Sequence, residues 1–312
     1  MRRETVKAVT DRLPAPPGET FIGIDVGEDF LDLAIVNDSR RTMAFQWVAL
    51  DDLGEIPCTA LARKINEVVP ELDPCATVLV DSPRCPRDLD LSWAIRREPV
   101  PAQREIDVEL KRIFPLLMGE PDGKAYKPGL AMFPTPRFRY FTQWAFHPKS
   151  KPHLAAITKE LFTAFLNGDR GTNDDGDEAR PGGAGGGTFT RFMLAGFATY
   201  RALERIGTNP FESYPDLQMR LCAPSTALPP KKVRPGALTV RRQIVASLCE
   251  SLGVVAASAP RTLDQADAAA MALAAALSAR SNTLCTVSHP CEGRFMLALD
   301  RSQSHCLDCS GA

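Results

Sequence analysis

One carboxylate inside an apolar segment limits how this chain can fold. Asp25 lies in the run TFIGIDV at residues 20–26, where isoleucine and valine flank it. The run is rich in β-branched residues and ends at a Gly-Glu-Asp turn at 27–29, so we predict a short strand. Burying a carboxylate in such a strand costs several kcal/mol unless the carboxylate is paired or binds a metal ion. Asp25 is therefore the first candidate for a functional residue.

The order of the predicted elements indicates an α/β fold. Short turns separate three predicted strands, at residues 20–26, 30–36 and 41–50. Such spacing favours antiparallel hairpins. Asp51 is a suitable N-cap for an amphipathic helix at 53–69, and the apolar run ATVLV at 76–80 is typical of a strand buried on both faces. A helix that leads from antiparallel hairpins to a parallel strand begins the RNase H-like fold, a mixed sheet of antiparallel hairpins and parallel strands flanked by helices.

The remaining pattern predicts one short strand and further helices. The strand is expected at 210–213, and helices are expected at 104–114, 151–167, 190–206, 215–221, 237–252 and 263–279. We expect one domain over residues 19–280 of the 312-residue chain. Its predicted parts and flanks are a flexible arm at 1–18, a Pro-rich insertion at 84–150, a Gly-rich mobile loop at 168–188 and a Cys-rich tail at 281–312.

Charge and hydropathy restrict the class of protein. The formal net charge is −1, which argues against a passive, high-affinity nucleic-acid binder but less against a nuclease with an acidic, metal-neutralised site. No apolar run is long enough to span a bilayer, and the basic N-terminus lacks the apolar core of a secretory signal. We therefore expect a cytoplasmic protein without a membrane partner.

Three further carboxylates could join Asp25. Asp81 follows the buried strand at 76–80, Glu212 lies in the segment PFESYP, and Asp267 lies on the apolar helix at 263–279. Ligands collect at the carboxyl ends of parallel strands in open α/β sheets. Each residue also has an ordinary structural interpretation: Asp81 as a turn cap, Glu212 as a solvated edge residue, and Asp267 as a charge near a helix N-terminus.

Together, the four carboxylates predict a metal-dependent phosphodiesterase. Cleavage by two metal ions requires a cluster of oxygen ligands, and Mg²⁺ or Mn²⁺ prefers carboxylates. The expected catalytic and metal-binding set is Asp25, Asp81, Glu212 and Asp267, acting on DNA or RNA. With only four histidines in the chain, histidine-based nucleophilic catalysis has little support. Convergence of these distant residues depends on the assembled sheet.

Several separated motifs carry a resemblance to a known family. They are GIDVG around Asp25, VLVDSP around Asp81, REIDVELKR from Arg104, MFPTP from Met132, FESYPDLQMRL from Phe211, the pair Lys231-Lys232, and DQADAAAMALAAAL from Asp264. In this order, over residues 20–279, the chain resembles the domain-of-unknown-function family 429, which consists of predicted RNase H-like nucleases. The chain departs from the family pattern in its Gly-rich insertion before Thr188 and its Cys-rich tail.

The resemblance implies an RNase H-like fold and an acidic site at the four carboxylates. It also implies roles for Arg104 and Lys232, which could bind substrate phosphate as an ionic clamp. Asp107 lies in the same motif as Arg104, and ordinary pairing on a helix surface is its alternative interpretation.

Other interpretations of the sequence stay open. Cys306 and Cys309 have zinc-knuckle spacing, so a structural Zn²⁺ held by Cys285, Cys291, Cys306 and Cys309 is possible, with a poorly ordered tail of thiols as the alternative. The whole chain could also be a non-catalytic RNase H-like nucleic-acid-binding or regulatory module. An actin-like ATPase is a further alternative, although Glu28 and Asp29 would repel a nucleotide phosphate after the first strand.

Overall fold

A mixed β-sheet runs through the described part of the chain. The computed structural model describes residues 8–13, 18–70, 72, 74–85, 104–118, 151–166, 186–222, 235–290 and 292–299. Its strands are β1 (Val9–Arg12), β2 (Thr20–Val26), β3 (Phe30–Asn37), β4 (Thr42–Ala49), β5 (Thr77–Asp81), β6 (Phe211–Glu212), β7 (Val255–Ala256), β8 (Leu284–His289) and β9 (Gly293–Ala298). Over the described residues, the strand order is β1-β8-β9-β6-β5-β2-β3-β4-β7.

Helices cover both faces of this sheet. They are α1 (Pro57–Val68), α2 (Glu105–Met118), α3 (Pro152–Leu166), α4 (Gly186–Arg205), α5 (Pro215–Cys222), α6 (Ala237–Leu252) and α7 (Leu263–Ser281). One core cluster lies between the sheet and α1, α3 and α4, and a second lies between the opposite face and α6 and α7. A third cluster packs α2 against β8 and β9. The protein is therefore an α/β protein with a mixed sheet flanked by helices.

The pairing of the central strands agrees with the sequence prediction. β2, β3 and β4 form consecutive antiparallel pairs, and the chain then passes through α1 to β5, which pairs with β2 in parallel. β6 continues the parallel pairing beside β5. The boundaries predicted for β2 match the structure, those for β3 differ by one residue at one end, and those for β5 differ by one residue at each end.

The Ala-rich helix α7 lies unusually close to the sheet at Gly23 of β2. A Cβ atom at Gly23 would overlap the carbonyl oxygen of Ala268 and would lie 3.1 Å from the backbone nitrogen of Ala272. The small side chains of α7 and the missing side chain at residue 23 explain why backbone can meet backbone there. This contact fixes the height of α7 above the middle of the sheet.

The structure differs from the sequence prediction at three element boundaries. α1 begins at Pro57 after Ile56, so Asp51 is not its N-cap. Proline suits the first turn of a helix because its missing N–H has no partner to lose there. The segment assigned to a tail forms the β8–β9 hairpin over residues 284–298, and the arm contributes β1, which pairs with β8. Of the Pro-rich insertion predicted at 84–150, residues 86–103 and 119–150 lie outside the described residues, as do residues 168–185 of the Gly-rich loop predicted at 168–188. The last three residues of that loop, 186–188, instead form the start of α4.

Candidate functional site

Three aspartates lie side by side where β2 and β5 end. Asp25 of β2 is in register with Asp32 of β3 on one side and with Asp81 of β5 on the other. Register partners in adjacent strands point to the same face of a sheet. Asp25 and Asp32 are each only 3% exposed, and Asp81 is half-buried. We refer to Asp32, Asp25 and Asp81 as the acidic row.

The acidic row faces the side of the sheet that α6 and α7 cover. Side chains alternate between the two faces along a strand. Phe21, Ala34 and Leu79 belong to the core cluster on that side. The aspartate of each of these strands lies an even number of residues away, so it points to the same face. Adjacent strands are about 4.7–4.9 Å apart, so about one strand spacing separates the backbone positions of neighbouring aspartates. Asp25 thus has a carboxyl group on each side, and carboxylate oxygens are the ligands that hard divalent cations prefer.

Asp32 was not among the predicted site residues. Val26 pairs with Leu31, so the next pair outward is Asp25 with Asp32. The turn predicted at 27–29 is one residue shorter than this register requires, and counting outward from it would have paired Asp25 with Leu31. The sequence prediction therefore missed Asp32 because it counted Phe30 as a partner of β2, whereas residues 27–30 all lie between the paired Val26 and Leu31.

Asp267 lies above the same end of the sheet. At the far end of α7, Arg280 forms an ion pair with Asp38 at 2.6 Å, and Asp38 donates its backbone N–H to Glu19 just before β2 begins. α7 therefore runs antiparallel to β2, and its N-terminal part lies over the end of β2 that carries Asp25. The buried Asp267 accepts a hydrogen bond from Arg241 Nε at 2.6 Å.

Glu212 is separated from the acidic row by the register of its strand. It pairs with Val80, the residue before Asp81, so its side chain points to the opposite face of the sheet. There it accepts hydrogen bonds from Arg104 Nη1 at 2.8 Å and Nη2 at 2.7 Å. The structure does not bring Glu212 to Asp25 and Asp81, contrary to the prediction of a four-carboxylate cluster.

Arg104 is the centre of a buried ionic network instead of a phosphate clamp. Besides Glu212, it donates to both carboxylate oxygens of Asp107, at 3.1 Å and 2.9 Å, and Tyr214 donates its hydroxyl to Glu212 at 2.8 Å. The Arg104 side chain is only 1% exposed. Burial lowers the pKa of Arg104, but Glu212 and Asp107 outweigh it and hold this pKa well above its usual value. The guanidinium is therefore charged and fully occupied by protein carboxylates.

The end of β5 that carries Asp81 is fixed by α4. The Tyr200 hydroxyl donates to the carbonyl oxygen of Ser82 at 3.0 Å, and burial, followed by the nearby Glu212, raises the pKa of Tyr200 well above its usual value. The raised pKa favours the protonated hydroxyl that donates this hydrogen bond. Gly196 of α4 lies against Ser82 so closely that a Cβ at this glycine would overlap the Ser82 side chain. These contacts position Asp81 beside Asp25.

Basic side chains neutralise the turn that follows Asp25. Lys151 lies 2.9 Å from Glu28 and 2.5 Å from Asp29, and Arg191 lies 2.8 Å from Glu28. His153 Nε2 is 3.1 Å from the carbonyl oxygen of Glu28. The two acids of this turn therefore have positively charged partners from α4 and from the residue before α3.

The residues predicted for metal binding can now be placed. Within the ranges that the structure describes, no three or more His, Cys, Asp or Glu side chains form a group that could hold a metal ion. Cys285 is buried in β8, where it packs in the core with α2. The other three cysteines of the predicted zinc site, Cys291, Cys306 and Cys309, and the predicted phosphate-binding Lys232 lie outside the described residues.

The fold and the site define an α/β protein whose mixed sheet carries a row of acids at the ends of two parallel strands. A scan against models of protein families matches none, and searches of the curated proteins and of the solved structures give no match. In the part of the chain that the structure describes, no helix has the length and apolar character needed to cross a membrane.

Proposed function

We propose that this protein is an RNase H-like nuclease that hydrolyses phosphodiester bonds of nucleic acid with the help of Mg²⁺ or Mn²⁺. The observation that carries the proposal is the register of the acidic row, which places Asp25 between Asp32 and Asp81 on one face of the sheet. The order of antiparallel hairpins, helix and parallel strand supports the RNase H-like assignment. We propose Asp25, Asp32 and Asp81 as the ligands, with Asp267 as a neighbouring carboxylate.

The donor chemistry of the acidic row fits a hard divalent cation. All three side chains offer carboxylate oxygens, which Mg²⁺ and Mn²⁺ prefer, and none offers sulfur or imidazole. The three side chains do not converge in the structure, so ligation requires them to rotate about their side-chain torsions. Rotation moves each side chain between staggered wells and changes the interactions that it makes in the structure, so a bound cation must offset that cost.

Glu212 and Arg104 have no catalytic or metal-binding role in this proposal. Glu212 points to the opposite face, and Arg104 occupies both of its carboxylate oxygens. A bound divalent cation would lower the pKa of a water molecule and stabilise negative charge on the phosphate. In this scheme the chain contributes the aspartates that bind the cation and the buried surroundings that strengthen electrostatic interactions. The Arg104 network acts by holding β6 and α2 in place.

The test is a comparison of Asp25→Asn with Asp52→Asn. Asp52 is exposed and has a φ of 56°, a conformation that asparagine adopts readily, so the control removes the same charge at little structural cost. Mn²⁺ binding is measured by calorimetry, and cleavage is measured on labelled single-stranded and double-stranded DNA and RNA. We expect Asp25→Asn to weaken Mn²⁺ binding at least tenfold and to abolish cleavage, with Asp52→Asn unchanged.

Three results would separate the alternatives. If Asp25→Asn binds Mn²⁺ as the wild-type protein does, and the wild-type protein cleaves none of the substrates, the nuclease proposal is wrong. Nucleic-acid binding without metal-dependent cleavage would favour a non-catalytic module. A thermal stabilisation by ATP that Asp25→Asn removes would favour the actin-like ATPase.

A further inference from the structure

The acidic row continues onto the next strand with a tryptophan. Trp47 of β4 is the register partner of Asp32, just as Asp32 is the partner of Asp25. The order across the sheet is therefore Trp47, Asp32, Asp25 and Asp81, all on one face. Side chains directly opposite each other in antiparallel strands have Cβ atoms about 4.5–5.5 Å apart, so the Trp47 indole is in immediate reach of Asp32.

Trp47 is much more exposed than its neighbours in this line. Its residue exposure is 56%, whereas Asp32 beside it is 3% exposed. Among the large hydrophobic residues that the structure describes as exposed, Trp47 is the aromatic one, and the others are valine and isoleucine. Leaving an indole in water forgoes a large gain in hydrophobic free energy, so an exposed tryptophan at a site edge suggests a ligand that covers it.

We infer that Trp47 is a substrate-positioning residue that stacks on an unpaired base of a single-stranded nucleic acid. The inference rests on the proposed nuclease function and adds the substrate class. Every nucleobase has a π-face that an indole can cover, whatever the sequence, whereas the bases of a duplex are stacked on each other and present only their edges. Stacking on Trp47 would place the adjoining phosphodiester over Asp32 and Asp25.

A competing interpretation is that Trp47 only shields Asp32 from water. The two interpretations differ in what they require of the ligand. Stacking requires a base, so removing the indole would weaken binding only of ligands that carry a base. Shielding acts on the charge of Asp32, so removing the indole would change the affinity for every ligand of the acidic row, including a metal ion alone.

The test measures binding of two labelled oligonucleotides by fluorescence anisotropy, with Ca²⁺ in place of Mg²⁺. One is a short oligo-dT, and the other has the same length and phosphates but abasic sites throughout. We expect Trp47→Ala to weaken oligo-dT binding by about 5- to 100-fold, because one stacked base contributes that much. Abasic binding should stay unchanged, Trp47→Phe should keep most of the affinity, and Val255→Ala, which truncates another exposed apolar side chain, should have no effect.

Several outcomes would overturn the inference. The inference is wrong if Trp47→Ala weakens binding of both oligonucleotides equally or weakens binding of neither. It is also wrong if the wild-type protein binds neither oligonucleotide. A changed Mn²⁺ affinity in Trp47→Ala, with equal effects on both oligonucleotides, would establish shielding instead. Failure of the two proposals is distinguishable. Cleavage that depends on Asp25 but not on Trp47 would refute stacking alone, and Trp47-dependent binding of oligo-dT without any cleavage would refute the nuclease alone.

Discussion

Replacing Arg104 by methionine should destabilise the protein more than any other single arginine substitution that we consider. Arg104 makes four hydrogen bonds of 2.7–3.1 Å to two carboxylates, and the side chains of Asp107 and Glu212 are only 5% and 1% exposed. Removing one partner of a buried ion pair costs about 3–5 kcal/mol, because an uncompensated charge stays behind. Arg104→Met leaves two such charges facing each other. We therefore expect Arg104→Met to lower the free energy of unfolding by about 5 kcal/mol, the upper end of that range.

The control is Arg112→Met on the same helix. Arg112 also pairs with an acid three residues away, Glu109, but its side chain is 63% exposed, so its loss should cost about 0–1 kcal/mol. Urea unfolding followed by circular dichroism gives both free energies of unfolding. A triple variant, Arg104→Met with Asp107→Asn and Glu212→Gln, should recover part of the loss, because no charge then remains buried. If Arg104→Met costs no more than Arg112→Met, the reasoning about the buried network is wrong.

Two further predictions follow from other contacts. Gly23→Ala should lower the free energy of unfolding by about 3 kcal/mol, because the new methyl group overlaps the backbone of α7 at Ala268. An unchanged midpoint of urea unfolding would contradict this. Burial, followed by the neighbouring Glu160, raises the pKa of the Cys58 thiol to about 12 from an ordinary 9.0. At pH 9 only about one Cys58 in a thousand is then the reactive thiolate. In the folded protein, iodoacetamide should therefore modify the exposed Cys75 and leave Cys58 intact, which peptide mass spectrometry measures. Equal labelling of the two cysteines would refute this.

The central sheet was predictable because its signals are local. The buried run at 76–80 and the short turns between the first three strands specify strand type and direction without any knowledge of distant contacts. The placement of Asp25 and Asp81 at the ends of parallel strands follows from the same pattern, and the structure puts the two residues in register on adjacent strands.

The orientation of Glu212 was not predictable in the same way. β6 has two residues, so it carries no alternation that would tell which face each side chain takes. That information lies in the pairing of Glu212 with Val80, which only the assembled sheet reveals. A shift of one residue in that pairing would have turned Glu212 toward the acidic row.

The hairpin of β8 and β9 was missed for a different reason. Residues 284–298 contain threonine, serine, histidine and arginine among their apolar residues, and a break at 280 in the Ala-rich pattern suggested that the domain ends there. In the structure both faces of β8 and β9 are covered, by α2 on one side and by α7 on the other, so polar and apolar positions are buried alike. Strands of that kind lack the alternation by which half-buried strands are identified.

The brevity of β6 has a consequence for how the protein unfolds. Glu212 is the residue of β6 that pairs with both neighbours, with Val80 in β5 and with Phe295 in β9. Within the sheet, strands β1, β8 and β9 are thus hydrogen-bonded to the other five through a very narrow stretch of backbone, and α7 packs across both groups of strands. We expect amide hydrogen exchange to show lower protection at β6 than at the long pairs of β2 with β3 and β5.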